Sequence, residues 1–98
     1  MKELRGVLPA VVTPVDDHGS LNEASFTALL ERFYAKGAHG VYVCGQTGEG
    51  LQLPSQVRER AAEMAVAVTP PGRQVVVHVG AASTAEAVRL TRHASEVG

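Results

Sequence analysis

GQTGEG, at residues 45–50, directly follows GVYVC at residues 40–44. The GVYVC stretch is apolar along its length rather than at alternate positions. This is typical of a strand in a parallel sheet, because both faces of such a sheet are covered. Ligand sites in parallel α/β folds form at the carboxyl ends of the strands. This junction therefore predicts a buried strand followed by a binding loop.

Two similar apolar runs lie on either side, at residues 7–12 and 75–79. The three runs begin about 33 residues apart, which is close to the length of one strand-and-helix unit. We therefore expect strands near residues 6–12, 40–44 and 74–79, each followed by a helix.

Helical periodicity fills the segments between these runs. Between the first two runs, apolar residues fall at i, i+3, i+4 and i+7: Phe26, Leu29, Leu30 and Phe33. Asn22 is the expected N-cap of this helix, and Gly37 suits the position just past its end.

The second and third helices show the same kind of pattern. Ser55 is the expected cap of the second helix, whose predicted buried face is Val57, Ala61, Met64, Ala65 and Val68. Ser83 opens the third helix with capping-box spacing to Glu86. The predicted buried face of the third helix is Ala87, Leu90, Thr91 and Ala94.

The element order is therefore βαβαβα, which indicates an α/β fold. Two architectures fit it. One is a (β/α)₈ TIM barrel, which takes roughly 250 residues, so that this chain would supply the first three βα units. The other is a doubly wound open sheet with three strands. No linker interrupts residues 1–98, so we expect part of a single domain without an internal boundary.

The loop at residues 45–50 is the richest candidate site. Its three glycines allow positive φ angles and close approach of a ligand to the backbone, and exposed N–H groups there could hold a carboxylate or a phosphate. Thr47 adds a hydroxyl group. A P-loop is excluded because Gly50 is followed by Leu51 and Gln52 rather than by lysine and a hydroxyl residue.

Three stretches in register carry a resemblance to a known family. Residues 45–49, GQTGE, are similar to the G-[TS]-T-G-E signature of the dihydrodipicolinate synthase / N-acetylneuraminate lyase family. Residues 10–14 with the turn at 16–19 look like the opening strand of that family, and residues 78–81 with 83–87 resemble its third strand and helix.

The resemblance implies a TIM-barrel enzyme that is homo-oligomeric, usually tetrameric. Such an enzyme is a class I pyruvate-dependent aldolase or lyase, which binds pyruvate or another 2-keto acid as a Schiff base on a lysine of the sixth strand. It implies no cofactor and no metal. Because that lysine lies beyond residue 98, we expect the chain alone to be inactive.

By resemblance, Gln46 and Thr47 bind the pyruvate carboxylate, while Gly45, Gly48 and Glu49 shape the loop. Gln46 departs from the family pattern, which has a hydroxyl residue that relays protons at this position. A neutral amide cannot relay a proton as a hydroxyl does. The departure favours a sister aldolase or dehydratase acting on another 2-keto acid.

The amino-acid composition limits the classes of binding partner that we expect. Nine basic and ten acidic residues give a net charge of −1, and no basic stripe is present, so we expect neither nucleic acid nor membrane as a partner. The absence of an apolar leader segment favours a cytoplasmic location. The four histidines share no metal-ligand spacing.

The remaining reactive side chains are interpreted as structural. Cys44 is expected to be an inert buried thiol within the second strand, and His78 a packed histidine of the barrel interior. The charged runs at 58–60 and 89–93 are interpreted as solvated helix faces. Two alternatives to a lyase fragment stay open: a small non-catalytic α/β module that binds anions, and a non-functional truncated gene product.

Overall fold

The structure, a computed structural model, describes residues 4–98 and shows an α/β fold. The elements are, in chain order, α1 (Glu23–Ala35), β1 (Gly40–Val43), a 3₁₀ turn (Gly50–Gln52), α2 (Ser55–Val68), β2 (Gln74–Val77) and α3 (Thr84–Val97). No helix among these described residues is long and apolar enough to cross a membrane.

Strands β1 and β2 are parallel, as predicted, with Val41 opposite Val75 and Val43 opposite Val77. Both strands end earlier than expected, at Val43 and Val77. The predicted first strand near residues 6–12 is wrong as a strand, because this segment makes only one isolated parallel bridge, between Ala10 and Tyr42.

Pro9 explains why the first segment is not a strand. The bridge consists of the Val11 N–H donating to the Tyr42 carbonyl and the Tyr42 N–H donating to the Pro9 carbonyl. The neighbouring rung of a parallel ladder would need an N–H from Pro9, which proline lacks. Beyond the bridge, Cys44 adopts a left-handed conformation with φ of 60°, so the partner strand turns away. The segment therefore lies beside β1 without forming a ladder.

The core lies on one face of the two-stranded sheet. Val41 and Val43 share that face by alternation and are fully buried against α1 and α2. The other members of this cluster are Val11, Leu21, Phe26, Leu30, Cys44, Val57, Ala61 and Ala65. Tyr42 and Val76 lie on the opposite face and are only partly buried. Helices therefore cover the first face, and nothing among residues 4–98 fully covers the second.

Most of the predicted helix signals are confirmed. The side chain of Asn22 accepts a hydrogen bond from the Ser25 N–H at 3.1 Å, and that of Ser83 accepts one from the Glu86 N–H at 3.2 Å. Gly37 follows the C-cap of α1 with φ of 95°. The turn at residues 16–19 is also present, with Asp16 Oδ1 accepting the N–H groups of His18 and Ser20.

Two details of the helices differ from the predictions. Ser55 is the first residue of α2 rather than its cap, because the Pro54 carbonyl already accepts the N–H groups of Val57 and Arg58. In α3, Leu90 is the buried residue and Thr91 is exposed. Helix α3 packs mainly against α2, so only a narrow stripe of it is covered.

A chain of charged side chains links the three helices. Arg60 of α2 forms a bidentate pair with Glu23 of α1 and also contacts Glu63. The other carboxylate oxygen of Glu63 lies 2.8 Å from Nε2 of His93 on α3. His93 is therefore partly buried and paired, contrary to the solvated face predicted for residues 89–93. Hydrogen bonds from His93 and Arg60 lower the pKa of Glu63 from its ordinary 4.5.

A lowered carboxyl pKa makes the stability of the chain depend on pH. The folded state holds Glu63 ionised, so this contribution is complete above the ordinary pKa and is lost as pH falls through the lowered one. We expect the melting temperature to fall as the pH drops below the ordinary carboxyl pKa of 4.5, and to fall less steeply in Glu63→Gln. Glu31→Gln, an exposed carboxyl of α1, is the control. Identical pH profiles for Glu63→Gln and the unmodified chain would contradict the assignment.

Candidate functional site

Three loops meet where β1 and β2 end. The loop after β1, residues 44–50, contacts the first segment through the Thr13 hydroxyl, which donates to the Gly48 carbonyl at 2.8 Å. The residues after β2 approach from the other side, where Tyr42 and His78 lie with ring centroids 6.4 Å apart. The carboxyl ends of the strands therefore carry a joined set of loops, as parallel α/β folds require for a site.

Two non-glycine residues give the loop after β1 its shape. Cys44 and Glu49 have φ of 60° and 56°, in the left-handed region. The Gly50 N–H donates to the Gly45 carbonyl and the Glu49 N–H to the Gln46 carbonyl, both at 3.0 Å. These bonds close the loop on itself, so its backbone groups occupy defined positions.

Positive φ, one of the two roles predicted for the glycines of this loop, is wrong, and the glycines are instead needed because neighbouring backbone and side-chain atoms approach them closely. None of the three is among the residues with positive φ. A Cβ on Gly50 would collide with the Cys44 carbonyl, and one on Gly45 would collide with the Tyr42 ring. A Cβ on Gly48 would lie 2.9 Å from the Val11 carbonyl oxygen. The loop is therefore packed flat against the strand ends.

Gln46 and Thr47 lie at the exposed crest of this loop. Among residues 4–98, no acceptor pairs with the backbone N–H of either residue or with the Thr47 hydroxyl. Adjacent free N–H groups on a fixed loop are suited to bind a small anion. Glu49 is exposed, and its side chain makes no hydrogen bond within the described part of the chain. Glu49 thus contributes to the shape of the loop through its backbone, and its carboxylate makes no hydrogen bond to the loop.

Cys44 is fully buried, as predicted, but lies just past β1 rather than within it. Burial raises the pKa of its thiol, while the charge of Arg58 and hydrogen bonding to Thr13 and Arg58 oppose that rise. A thiol with a raised pKa is a poor nucleophile. Cys44 is accordingly a packing residue beneath the loop.

Arg58 is the site residue that the sequence analysis missed. It was interpreted as part of a solvated face, but it is 4% exposed. Its guanidinium reaches from α2 to the loop after β2, donating to the Gly80 carbonyl at 2.8 Å and to the His78 carbonyl at 2.7 Å. The sequence signal that could have revealed its burial is its position one residue after Val57, at the edge of the apolar face of α2.

His78 lies beside this guanidinium. Its Nδ1 is 3.4 Å from Nη2 of Arg58, and its ring packs against the space where a Gly80 side chain would stand. His78 is partly buried and faces Tyr42, whose ring packs against Gly45 at the start of the loop after β1. No group of three or more metal-ligating side chains is present in residues 4–98.

The sequence matches the profile of the Dihydrodipicolinate synthetase family over residues 3–98. A 4-hydroxy-tetrahydrodipicolinate synthase from Phenylobacterium zucineum is 45% identical over 94 residues, which cover 96% of this chain and 32% of the relative. The chain thus spans about a third of the length of the curated relatives it matches.

Solved structures of related proteins superpose closely on this chain. A sialic acid aldolase from Ruminococcus gnavus matches with a TM-score of 0.88 and 31% identity, over 95% of this chain and 31% of its own. A prophage protein of the dihydrodipicolinic acid synthase family from E. coli K12, solved in complex with pyruvate, matches with a TM-score of 0.87 and 27% identity. That match covers 95% of this chain and 31% of the prophage protein.

Proposed function

Because this chain belongs to the dihydrodipicolinate synthetase family, we propose that it is the N-terminal part of a pyruvate-dependent aldolase or lyase. Residues 1–98 would supply the first three βα units of one (β/α)₈-barrel domain, without an internal boundary. The first segment would take the place of the first strand in spite of Pro9. The whole protein would be a cytoplasmic homo-oligomer that forms a Schiff base with pyruvate or another 2-keto acid.

The observation that carries this proposal is the crest of the loop after β1. Gln46 and Thr47 present two free backbone N–H groups and one hydroxyl at the carboxyl end of a buried parallel strand. These donors would hold the carboxylate of the 2-keto acid through charge-assisted hydrogen bonds. The Thr13–Gly48 hydrogen bond and the Gly45–Gly50 bond would keep the donors in place, so little ordering is needed when the ligand binds.

Holding the carboxylate fixes the position of the neighbouring keto carbon. The amine of a lysine from the remainder of the protein would attack that carbon and expel water to give the Schiff base. Gln46 would orient the bound acid through its backbone N–H, while its amide side chain would not carry protons. The second substrate is therefore proposed to differ from that of the family members with a hydroxyl residue here.

The test uses a hybrid in which this chain replaces the corresponding third of the Phenylobacterium relative. We expect Thr47→Val in the hybrid to raise the KM for pyruvate roughly tenfold or more, because a hydrogen bond to a charged group contributes about 1.5–3 kcal/mol. Thr91→Val, which removes an exposed hydroxyl from α3, is the matched control. Steady-state kinetics with pyruvate varied give the answer.

An unchanged KM for pyruvate in Thr47→Val would remove the carboxylate-binding role. Loss of the circular-dichroism signal in that variant would instead indicate misfolding, in which case Thr47→Ser, which keeps the hydroxyl, should restore both fold and KM. A hybrid that folds and binds no 2-keto acid at all would refute the proposed function.

A further inference from the structure

Arg58 is a buried cation without a carboxylate partner. Its guanidinium is held by two backbone carbonyls, those of His78 and Gly80. Nε is buried and makes no hydrogen bond, and no ion pair of Arg58 occurs within the described residues. The two carbonyls accept from Nη1 and Nη2 but do not cancel a full charge. A buried charge left uncompensated in this way is costly, and so it favours a negative charge nearby.

The carboxylates around Arg58 are engaged elsewhere. Glu59, the next residue, pairs with Arg89 at 2.8 Å, and Glu63 pairs with Arg60 and His93. Glu49 belongs to the loop after β1, but its side chain is exposed and makes no contact with the guanidinium. The negative charge that Arg58 favours is thus not supplied by residues 4–98.

The guanidinium lies near the start of the loop after β1. Its charge acts on the thiol of Cys44, the first residue of that loop, and it contacts the loop that follows β2. Arg58 therefore connects the loop after β2 with Cys44, the first residue of the loop that carries Gln46 and Thr47. The interior there has a low effective dielectric constant, so a charge acts over several ångströms with little screening.

We propose that Arg58 is the buried counter-charge of the anion site, and that it makes the loop after β1 selective for ligands with a full negative charge. The proposal rests on the proposed function, since it takes the carboxylate to be bound at Gln46 and Thr47. Arg58 does not touch the ligand. It acts through the field that it places behind the loop, in addition to holding the loop after β2.

The test compares pyruvate with pyruvamide, its uncharged amide, as ligands of the ¹⁵N-labelled 98-residue chain. Binding is followed through the amide resonance of Thr47. In Arg58→Gln we expect the dissociation constant for pyruvate to rise about tenfold, while that for pyruvamide changes less than about twofold. Arg58→Lys, which keeps the charge and loses the paired donors, should stay within about threefold of the original chain for pyruvate.

Arg92→Gln is the matched control, because it makes the same change in net charge on an exposed arginine of α3 that forms no ion pair among the described residues. It should leave both dissociation constants unchanged. If Arg58→Gln loses its dispersed spectrum, Arg58→His replaces it. Pyruvate binding by Arg58→His must then weaken as pH rises through the titration of the imidazole, and pyruvamide binding must not.

Three results would overturn the proposal that Arg58 is a counter-charge. The first is that Arg58→Gln weakens the binding of pyruvate and of pyruvamide equally. The second is that Arg58→Gln and Arg58→Lys weaken pyruvate binding equally. The third is that the original chain binds pyruvate and pyruvamide with equal affinity. The first two would leave Arg58 as a clamp on the loop after β2. If Thr47 of the original chain responds to neither ligand, the counter-charge proposal fails, and the KM measurement in the hybrid decides the proposed function separately.

Discussion

Phe26→Ala is expected to destabilise the chain by about 3–5 kcal/mol. Phe26 is the largest fully buried side chain and packs from α1 into the core cluster beneath Val41 and Val43. Its removal leaves a cavity that the surrounding residues can fill only in part. Small domains have a total free energy of unfolding of roughly 5–15 kcal/mol, so the expected loss is a large fraction of the total.

Urea unfolding followed by circular dichroism measures the effect. Phe33→Ala is the control, since Phe33 lies on the same helix and is only partly buried. It should cost less than half as much. Equal losses for the two variants would mean that the face of α1 carrying Phe26 and Leu30 does not form the centre of the core.

The second large effect is the absence of a covalent adduct. When this chain is treated with pyruvate and sodium borohydride, we expect mass spectrometry to show no reduced lysine adduct that depends on folding. The chain has two lysines, Lys2 and Lys36. Lys2 lies outside the residues that the structure describes. Lys36 is the exposed C-cap of α1, immediately before β1.

The distance from Lys36 to the loop after β1 explains this expectation. Lys36 precedes Gly40 and Thr47 follows Val43, so the length of β1 separates them. Four residues of strand span roughly 13 Å, whereas a lysine side chain reaches about 6 Å from its four-carbon stem. Lys36 therefore cannot meet a keto acid whose carboxylate is held at Thr47.

The hybrid with the Phenylobacterium relative provides the positive control. In the hybrid, a stoichiometric adduct should form, and the modified lysine should lie outside residues 1–98. An adduct on Lys2 or Lys36 of the isolated chain, formed at millimolar pyruvate and lost on unfolding, would overturn the claim that the reactive lysine belongs to the remainder of the protein.

The alternation between strands and helices was readable from the sequence because its causes are local. The apolar runs at 40–44 and 75–79 predict strands, and β1 and β2 lie within or beside them. The caps at Asn22 and Ser83 depend on hydrogen bonds to residues three positions away, a range that spacing in the sequence reveals. The position of the candidate site loop, residues 44–50, was predictable for the same reason, because this loop directly follows a buried strand.

Features that depend on distant partners were decided by the tertiary structure. Arg58 has the sequence context of a surface arginine, and its burial depends on carbonyls 20 and 22 residues further along. The first segment has the composition of a strand, but Pro9 faces β1 at the point where a donor is required. A sequence pattern shows how each residue relates to its near neighbours along the chain. Whether an arginine is buried, or a strand forms its hydrogen bonds, depends on which distant part of the backbone lies beside it.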